Sequence, residues 1–285
     1  MEDDDVKTIL SSIVCAMKSL PNLRRKALDT ELESLKPICT LVEYPGALVF
    51  FSELYPLFYY GNGILVREPE RGGRAYWERL FDSAVKSQTE HRLFVFESER
   101  AAAALRKEFR DAGYQMYRER YMVRESPFPV NLRSSVECIS VNDTGAWDAL
   151  ELMHAQADDD DVFSLADTSP AMKRLFRKTR DVSDGIGIRW FLLRDRRSGE
   201  YLSSAGIFVY GEMGRLQSVV TAPRFRKKGY ANYLLRLIVN EAFRSENVKA
   251  VALCCDRGTI AERIYLGMGF RPVAATASCL KLVSR

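Results

Sequence analysis

The sequence lacks the features by which several classes of protein are recognised. No two of its six cysteines are spaced as Cys-x-x-Cys, and it has only two histidines, so neither disulfides nor a metal site is expected. Most of the cysteines fall in hydrophobic runs, which is typical of buried thiols in a reducing cytoplasm. No apolar run approaches the roughly 18 residues of a membrane-spanning helix, and the first residues are acidic, unlike a secretory signal. We therefore expect a cytoplasmic protein without a membrane partner.

A large excess of charge of one sign is also absent. The 285 residues carry a formal net charge of only +4, whereas nucleic-acid-binding domains usually present a strongly basic face. No nucleic-acid partner is therefore expected. The sequence is 47% hydrophobic and 28% charged, which is ordinary for a globular protein with a core, and its length favours two domains.

The first part of the chain predicts a mixed α/β unit. Residues 5–36 have helical periodicity, and short β-rich segments separated by Pro and Gly follow. Helices are predicted over about 75–87 and 98–111, with Gly113 as the cap of the second, and a strand over 114–124 comes next.

A stretch with two prolines and no periodicity, residues 126–135, predicts a linker. We therefore expect one domain over 1–128 and another over 129–285. The second is predicted to have the order β-α-α-β-β-β-α-β-α-β-β, with a helix over 144–156 and two short strands at its end. This order predicts a mixed sheet with helices on both faces.

A dense basic turn joins a β-rich strand to an amphipathic helix in the second part. The strand ends at Pro223, and Gly229 opens the helix. A glycine there lets a ligand approach the backbone, and the amides and positive dipole at the start of a helix suit a pyrophosphate. The cations between these two residues are Arg224, Arg226, Lys227 and Lys228. This pattern predicts a diphosphate site, although a solvated basic turn would have a similar charge pattern.

The segment Arg226-Lys227-Lys228-Gly229-Tyr230-Ala231 resembles the cofactor motif Arg/Gln-x-x-Gly-x-Gly/Ala of the GNAT superfamily of acyl-CoA-dependent N-acetyltransferases. The preceding Val219-Val220-Thr221-Ala222-Pro223 is similar to the strand before that motif. The resemblance implies that backbone groups of Val219 and Thr221 pair with the pantetheine arm of acetyl-CoA. It also implies that the amides of residues 226–231, here called the cofactor loop, hold the pyrophosphate.

A second match lies downstream, where the family has Asn-x-x-Ala-x-x-x-Tyr-x-x-x-Gly-Phe after a strand. The matching residues are Ala261, Tyr265, Gly269 and Phe270. The resemblance implies that Tyr265 protonates the departing thiolate of CoA. A phenol of pKa about 10 can donate to a thiolate of pKa about 8.5 without being ionised at rest. Gly258 stands where the family has Asn, which puts the cofactor affinity in doubt unless Thr259 or Asp256 substitutes.

Together, the two matches imply a set of residues that contact the cofactor. They are Val219, Val220, Thr221, Arg224, Arg226, Lys227, Lys228, Gly229, Tyr230, Ala231, Thr259 and Ala261. The resemblance implies acetyl-CoA as co-substrate and no metal.

The first part repeats this pattern faintly. Aligning its glycine-aromatic turn with the one after Tyr265 puts Phe109 at the position of that tyrosine, and Glu70 falls where Arg226 stands. We therefore predict two GNAT-like folds in tandem, both mixed α/β, with the second intact and the first degenerate. A chance αβ similarity is the alternative. The first fold is expected to be structural and to wall the acceptor pocket.

The acceptor is harder to predict. The acidic run Asp158–Asp161 would attract a cationic amine, although a solvated loop has the same composition. Tyr59, Tyr60 and Asn62 are candidate ligand contacts, although such residues are more often core and turn. An attacking amine must lose a proton, and Gln217 on the central strand cannot accept one. The candidate bases are Glu151, His154 and Glu212.

Three functions compete at this point. The leading hypothesis is an N-acetyltransferase in which a small-molecule or peptidyl amine attacks the thioester directly while strand amides polarise its carbonyl. A second is a tandem transferase that uses aminoacyl-tRNA or a long acyl chain, and the modest net charge counts against the tRNA version. A third is a non-catalytic acyl-CoA-binding or regulatory module, for which the departure at Gly258 leaves room.

Overall fold

The structure is a computed structural model that describes residues 22–56, 58–85, 89–129, 131–157, 188–245 and 247–283. The strands are β1 (Thr40–Tyr44), β2 (Ala47–Phe51), β3 (Gly63–Val66), β4 (His91–Phe96), β5 (Gln115–Arg124), β6 (Val136–Ser140), β7 (Ile188–Asp195), β8 (Tyr201–Tyr210), β9 (Met213–Thr221), β10 (Ala250–Asp256) and β11 (Arg271–Leu282). The helices are α1 (22–35), α2 (Arg74–Ala84), α3 (Glu99–Asp111), α4 (Thr144–Ala157), α5 (Tyr230–Ser245) and α6 (Ile260–Gly267). The strands form one mixed sheet in the order β1-β2-β3-β4-β11-β5-β10-β9-β8-β7-β6.

The same order of elements occurs twice along the chain. In the first part it is β3-α2-β4-α3-β5, and in the second it is β9-α5-β10-α6-β11. In both parts the first two strands are parallel neighbours joined by a crossover helix. This duplication agrees with the predicted tandem of mixed α/β folds. The division between residues 128 and 129 stays a prediction, since the sheet continues across both parts.

The two parts exchange their last strands at the centre of the sheet. β11 lies between β4 and β5 of the first part and is antiparallel to both. β5 in turn pairs with β10 of the second part. Because a central strand satisfies its backbone hydrogen-bonding groups on both edges, each half-sheet is completed by a strand from the other.

The alternation of side chains along the strands defines two faces. On β5, Met116 and Met122 pack on one face, while Tyr117 and Tyr121 pack on the other. The first face, here called the back face, is covered by α2, α3, α5 and α6. The second, here called the front face, is covered by α1 and α4 among the described helices.

One prediction about the end of the chain was wrong. The two short strands expected there form the single strand β11, whose register with β5 shifts between Pro272 and Ala274. Proline has no N–H to donate to the ladder, so a bulge absorbs it and pairing continues. The predicted cap at Gly113 is confirmed, with a positive φ of 83°. The helices expected within residues 5–20 and after Ser169, and the acidic run 158–161, lie outside the described residues.

The described cysteines and helices carry neither disulfides nor membrane spans. Five cysteines in this part of the chain are free thiols: Cys39, Cys138, Cys254, Cys255 and Cys279. None of the described helices is long and apolar enough to cross a membrane. Among the same residues, no group of His, Cys, Asp and Glu side chains is arranged to hold a metal ion.

Candidate active site

The parallel strands β9 and β10 separate at one end of the sheet. Their pairing ends at Arg215 and Ala252. Beyond that point β9 stays paired only with β8, up to Thr221, and β10 stays paired with β5, up to Asp256. The inner edge of β9 therefore presents backbone groups that the ladder does not use. We call this gap the β9–β10 opening, and Val219, Val220 and Thr221 lie along it.

A β-bulge lies in β9 at this opening. Ser204 of β8 faces Val220 and Gly206 faces Gln217, so Ser218 and Val219 together oppose a single residue. Ser218 has a positive φ of 50°, which is uncommon for a residue other than glycine. Bulges change the direction of backbone groups, and they are frequent beside active sites.

The cofactor loop leads from β9 into α5 and is open to solvent. Residues 226–229 are exposed, and the carbonyl of Gly229 accepts the first hydrogen bond of the helix from the amide of Tyr233, at 3.0 Å. The first amides of a helix have no carbonyl partner within it. Gly229 has φ +78°, and a Cβ built there would meet no atom closer than 3.9 Å. The conformation therefore favours glycine, and the space beside it is free for an anion.

The predicted cations of this region have different surroundings. Arg224 forms an exposed ion pair with Glu200 at 2.9 Å, so its charge is partly engaged. Arg226 donates from Nε to the carbonyl of Thr221 at 3.3 Å, which ties the loop to the end of β9. Lys228 lies over the ring of Phe225, 5.4 Å from its centroid.

Arg133 is a further cation at the cofactor loop that the sequence did not reveal. Its guanidinium lies over the ring of Tyr233, 4.9 Å from the centroid, and its amide donates to the hydroxyl of that tyrosine at 2.9 Å. Its Nη2 is the atom nearest to a Cβ built on Gly229. Arg133 belongs to the stretch without periodicity, so no local pattern connects it with the loop.

Replacing Arg133 by Glu is expected to weaken the binding of acetyl-CoA about fivefold. An exposed charge interaction contributes at most about 1 kcal/mol, and the effect should shrink in 0.5 M salt because exposed charges are screened. Calorimetric titration at two salt concentrations measures both. Arg197→Glu, in the exposed turn after β7, serves as the control. Equal losses in the two variants, or a loss that salt does not change, would contradict a role for Arg133 at the phosphates.

Tyr265 lies on α6 and points into the back face of the second part. It is 9% exposed and packs beside Phe270, with the ring centroids 6.2 Å apart. Burial raises the pKa of its hydroxyl well above the usual value, and the neighbouring Cys255 and Cys254 thiols at the end of β10 add to this. The phenol therefore stays protonated at ordinary pH values.

The start of α6 is built by local contacts of the second motif. Gly258 has φ +85°, a conformation in which glycine is favoured. The hydroxyl of Thr259 donates to the carbonyl of Asp256 at 2.7 Å and accepts from the amide of Glu262 at 3.3 Å. Its hydrogen bonds therefore cap the helix. Ala261 packs against the core of the back face.

Two arginines from the first part hold both ends of α6. Arg120 of β5 forms an ion pair with Glu262, with 2.9 Å between Nε and Oε1. Arg124 of the same strand donates from Nη1 to the carbonyl of Met268 at 3.0 Å. The exchanged strand β5 thus positions the helix that carries Tyr265.

A cavity of about 550 Å³ opens on the front face at the β9–β10 opening. Gln217 and Ser218 of β9 and Cys254 and Asp256 of β10 line it on one side, and α1 and strands of the first part line most of the remainder. Tyr60 is among these lining residues. Asn62, by contrast, is buried, with its side-chain oxygen accepting from the amide of Ser52 at 2.9 Å. Tyr59 packs edge-on against His91.

The structure separates the candidate bases. Glu212 pairs with Lys249 and Lys26 in the turn before β9, at the far end of that strand from the opening. His154 is buried beside Ser204, and burial lowers its pKa to about 4. Glu151 is half-buried on α4. None of the three lines the cavity.

Glu119, which the sequence analysis missed, does line the cavity from the centre of β5. The strand lies in the first part of the chain, and only the strand exchange brings it beside β10, where Glu119 is the register partner of Asp256. Long-range pairing of this kind leaves no local signal in a single sequence.

The corresponding region of the first part is closed. β3 and β4 stay paired up to their last residues, Val66 and Phe96. A carboxylate oxygen of Glu108 accepts from the amide of Arg74 at 2.8 Å, at the start of α2. A carboxylate of the chain thus lies where the second part leaves room for an anion. Phe109, at the position of Tyr265, is fully buried.

Comparisons with known proteins agree with this architecture. A Kribbella flavida GCN5-related N-acetyltransferase is 15% identical, with a TM-score of 0.66 over 92% of this chain and 96% of that one. A functionally unknown conserved protein from Staphylococcus epidermidis is 14% identical, with a TM-score of 0.65 over 86% and 95%. A tandem GNAT protein from the clavulanic acid biosynthesis pathway is 11% identical, with a TM-score of 0.55 over 87% and 80%. These likenesses establish the fold alone.

The sequence comparison identifies one region directly. No curated protein matches this chain. Residues 153–270, however, match the model of the acetyltransferase (GNAT) family, whose fold supports acyl transfer from acyl-CoA. Residues 153–270 therefore form a domain that matches the GNAT family, and the chain as a whole has the tandem fold that its motifs predicted.

Proposed function

We propose that the protein is an acetyl-CoA-dependent N-acetyltransferase that acts on a primary amine of a small molecule or peptide. The observation that carries this proposal is that three features of the structure adjoin one another. An exposed helix start suited to a pyrophosphate is followed by the β9–β10 opening, and the opening leads into a cavity of about 550 Å³. Pockets of this size commonly bind small molecules.

In this proposal the cofactor lies along β9 and the cofactor loop. The amides and cations of the cofactor loop hold the pyrophosphate, and the free edge of β9 at Val219 and Thr221 pairs with the pantetheine arm. The thioester then lies near the bulge at Ser218. Backbone N–H groups there polarise the carbonyl, since a preorganised donor stabilises the charge that develops on the oxygen.

The attacking amine and the proton donor then reach the thioester from opposite faces of the sheet. The amine comes from the cavity on the front face and attacks the carbonyl carbon directly. Tyr265, on the back face, donates its proton to the sulfur as the C–S bond breaks. Holding both groups at one opening converts the encounter into a reaction within a complex. We place this activity in the cytoplasm, where free thiols such as those described above persist.

The first experiment is a calorimetric titration with acetyl-CoA, followed by an assay of thiol release with a panel of amines. We expect micromolar binding and a release of CoA that depends on the amine. Absence of binding at millimolar acetyl-CoA would overturn the proposal. Binding without amine-dependent release over a broad panel would favour an acyl-CoA-binding module.

A further inference from the structure

The cavity on the front face has two ends of different chemistry. The end nearest the β9–β10 opening is lined by acidic side chains. The other end is apolar, and it is built by α1 and by strands of the first part. The apolar side chains include Leu32, Leu35, Phe50, Leu65, Leu93 and Val95. A ligand that fills both ends must therefore combine a polar or charged group with an apolar one.

The acidic end has an excess of negative charge. Five carboxylates and two guanidinium groups line the cavity, and both guanidinium groups are already paired. Arg215 pairs with Glu31. Arg25 pairs with Asp29, with 2.8 Å between Nε and Oδ1. Glu97 also lies within 4.0 Å of Arg25 and Arg67. The negative charge left for a ligand is therefore chiefly that of Glu119, and it attracts a cation most strongly where walls of low polarity surround it.

Glu119 is the most deeply placed of these carboxylates. It is 9% exposed, and it accepts hydrogen bonds from the hydroxyls of Thr276 at 3.0 Å and Ser278 at 2.5 Å. No lysine or arginine in the described part of the chain bonds to it. A buried carboxylate held by two neutral donors lacks a counter-charge. An ammonium group bound in the cavity would supply one.

On the basis of the proposed function, we propose that the acceptor is a primary amine carrying an elongated apolar group. Its ammonium binds at Glu119, beside the β9–β10 opening, and its apolar part extends into the compartment built by α1 and the first part of the chain. The first fold thus selects the substrate that the second fold acetylates.

The placement of Glu119 also gives the reaction its proton acceptor. The bound ammonium transfers one proton to the carboxylate, and the lone pair thus freed forms the C–N bond at the thioester carbonyl. The C–S bond then breaks, and the thiolate takes the proton of Tyr265. The nitrogen loses its second proton, which restores the phenol through solvent. Glu119 releases its own proton to solvent, so the products are the amide, CoA thiol and one proton.

The surroundings of Glu119 suit this role. Burial raises the pKa of its carboxyl, and the negative charges of Asp256 and Glu31 act in the same direction. A base whose pKa is closer to the working pH accepts a proton more readily than an ordinary carboxylate does, and it still releases that proton to solvent afterwards. The titratable groups near it are Glu31, Tyr60, Tyr121, Cys254 and Asp256, together with Cys279 on the back face of the sheet.

A series of straight-chain alkylamines from ethylamine to octylamine tests the apolar compartment. With acetyl-CoA saturating, kcat/KM should rise about fourfold per methylene until the compartment is full, because each buried methylene adds a nearly constant free energy. A parallel series of acyl-CoA donors from acetyl to octanoyl, with one fixed amine, should show no such rise. A rise with donor length instead would overturn the proposal, since the compartment would then hold the acyl chain.

Val95→Phe tests the location of the compartment. The larger side chain shortens the compartment, so the amine length that gives the highest kcat/KM should decrease. The affinity for acetyl-CoA should stay unchanged. Val42→Phe, on the partly exposed edge strand β1, is the matched control and should leave the optimum where it is. An unchanged optimum in Val95→Phe would overturn the assignment.

Glu119→Gln tests the proton acceptor while keeping the shape of the side chain. We expect kcat/KM for the amines to fall at least about 100-fold, with acetyl-CoA affinity within about twofold of the wild type. The wild-type rate should rise with pH as Glu119 loses its proton, at a pH above the usual pKa of about 4.3. This rise of the rate with pH should be absent in Glu119→Gln. If the rise persists, Glu119 is not the proton acceptor.

The outcomes separate this inference from the proposed function. If acetyl-CoA binds and amines release CoA with no dependence on chain length, the apolar acceptor is wrong and the acetyltransferase stands. If acetyl-CoA does not bind, both fail.

Discussion

The double variant Arg226→Glu/Gly229→Glu is expected to lose at least about 100-fold in acetyl-CoA affinity, which corresponds to about 2.7 kcal/mol. The change puts two carboxylates among the amides that we assign to the pyrophosphate, so repulsion replaces charge-assisted hydrogen bonds of about 1.5–3 kcal/mol each. In addition, a side chain at position 229 fills the free space beside the glycine and must adopt its positive φ. Calorimetric titration with acetyl-CoA measures the loss.

A matched control carries the same change of charge on the other half of the molecule. Ala103→Glu/Arg110→Glu alters two exposed positions of α3 and should leave the affinity within about twofold. Thermal unfolding followed by circular dichroism shows whether each variant is folded. Retention of wild-type affinity by a folded Arg226→Glu/Gly229→Glu variant would show that the cofactor loop is not the phosphate site.

Tyr265→Phe should lower kcat at least about 100-fold while leaving acetyl-CoA affinity within about twofold of the wild type. The substitution removes only the hydroxyl, and the ring keeps its packing against Phe270. A thiol-release assay gives kcat, and titration gives the affinity. This pairing separates an enzyme from an acyl-CoA-binding module, because a module has no turnover to lose. Tyr210→Phe, at an exposed hairpin position, is the control.

The pH dependence provides a second check on Tyr265. Its pKa is raised above the usual value of about 10, so the acid form persists as the pH rises. We therefore expect no loss of kcat from ionisation of this group up to about pH 9.5. A fall in kcat that begins near pH 8 and vanishes in Tyr265→Phe would show that the phenol ionises too easily to act as proposed.

Local patterns carried the predictions that succeeded. The helix start at Gly229 and the helix of Tyr265 each depend on residues within a single strand-turn-helix segment. Their spacing can therefore be read directly from one sequence. The degenerate first fold was predictable for the same reason, since Phe109 occupies the aligned position in a segment of similar pattern.

Long-range pairing accounts for most of what could not be predicted. A strand that precedes β10 by more than a hundred residues brings Glu119 to the cavity and Arg120 and Arg124 to α6, and the register depends on the assembled sheet. Arg133 reaches the cofactor loop by packing of the proline-containing stretch on α5. Neither the chemistry of these side chains nor their spacing marks them in advance.

The exchange of β5 and β11 has a consequence for biosynthesis. As the chain leaves the ribosome, β4 and β5 are made early, but β11, which lies between them, is made after every other strand. Until then the nascent first fold has two β-edges with no partner, and such edges pair readily with other chains. Its closure therefore waits until the second fold has been synthesised. A ribosome that stalls within the second fold would leave an aggregation-prone intermediate in which neither the acceptor compartment nor the catalytic helix is complete.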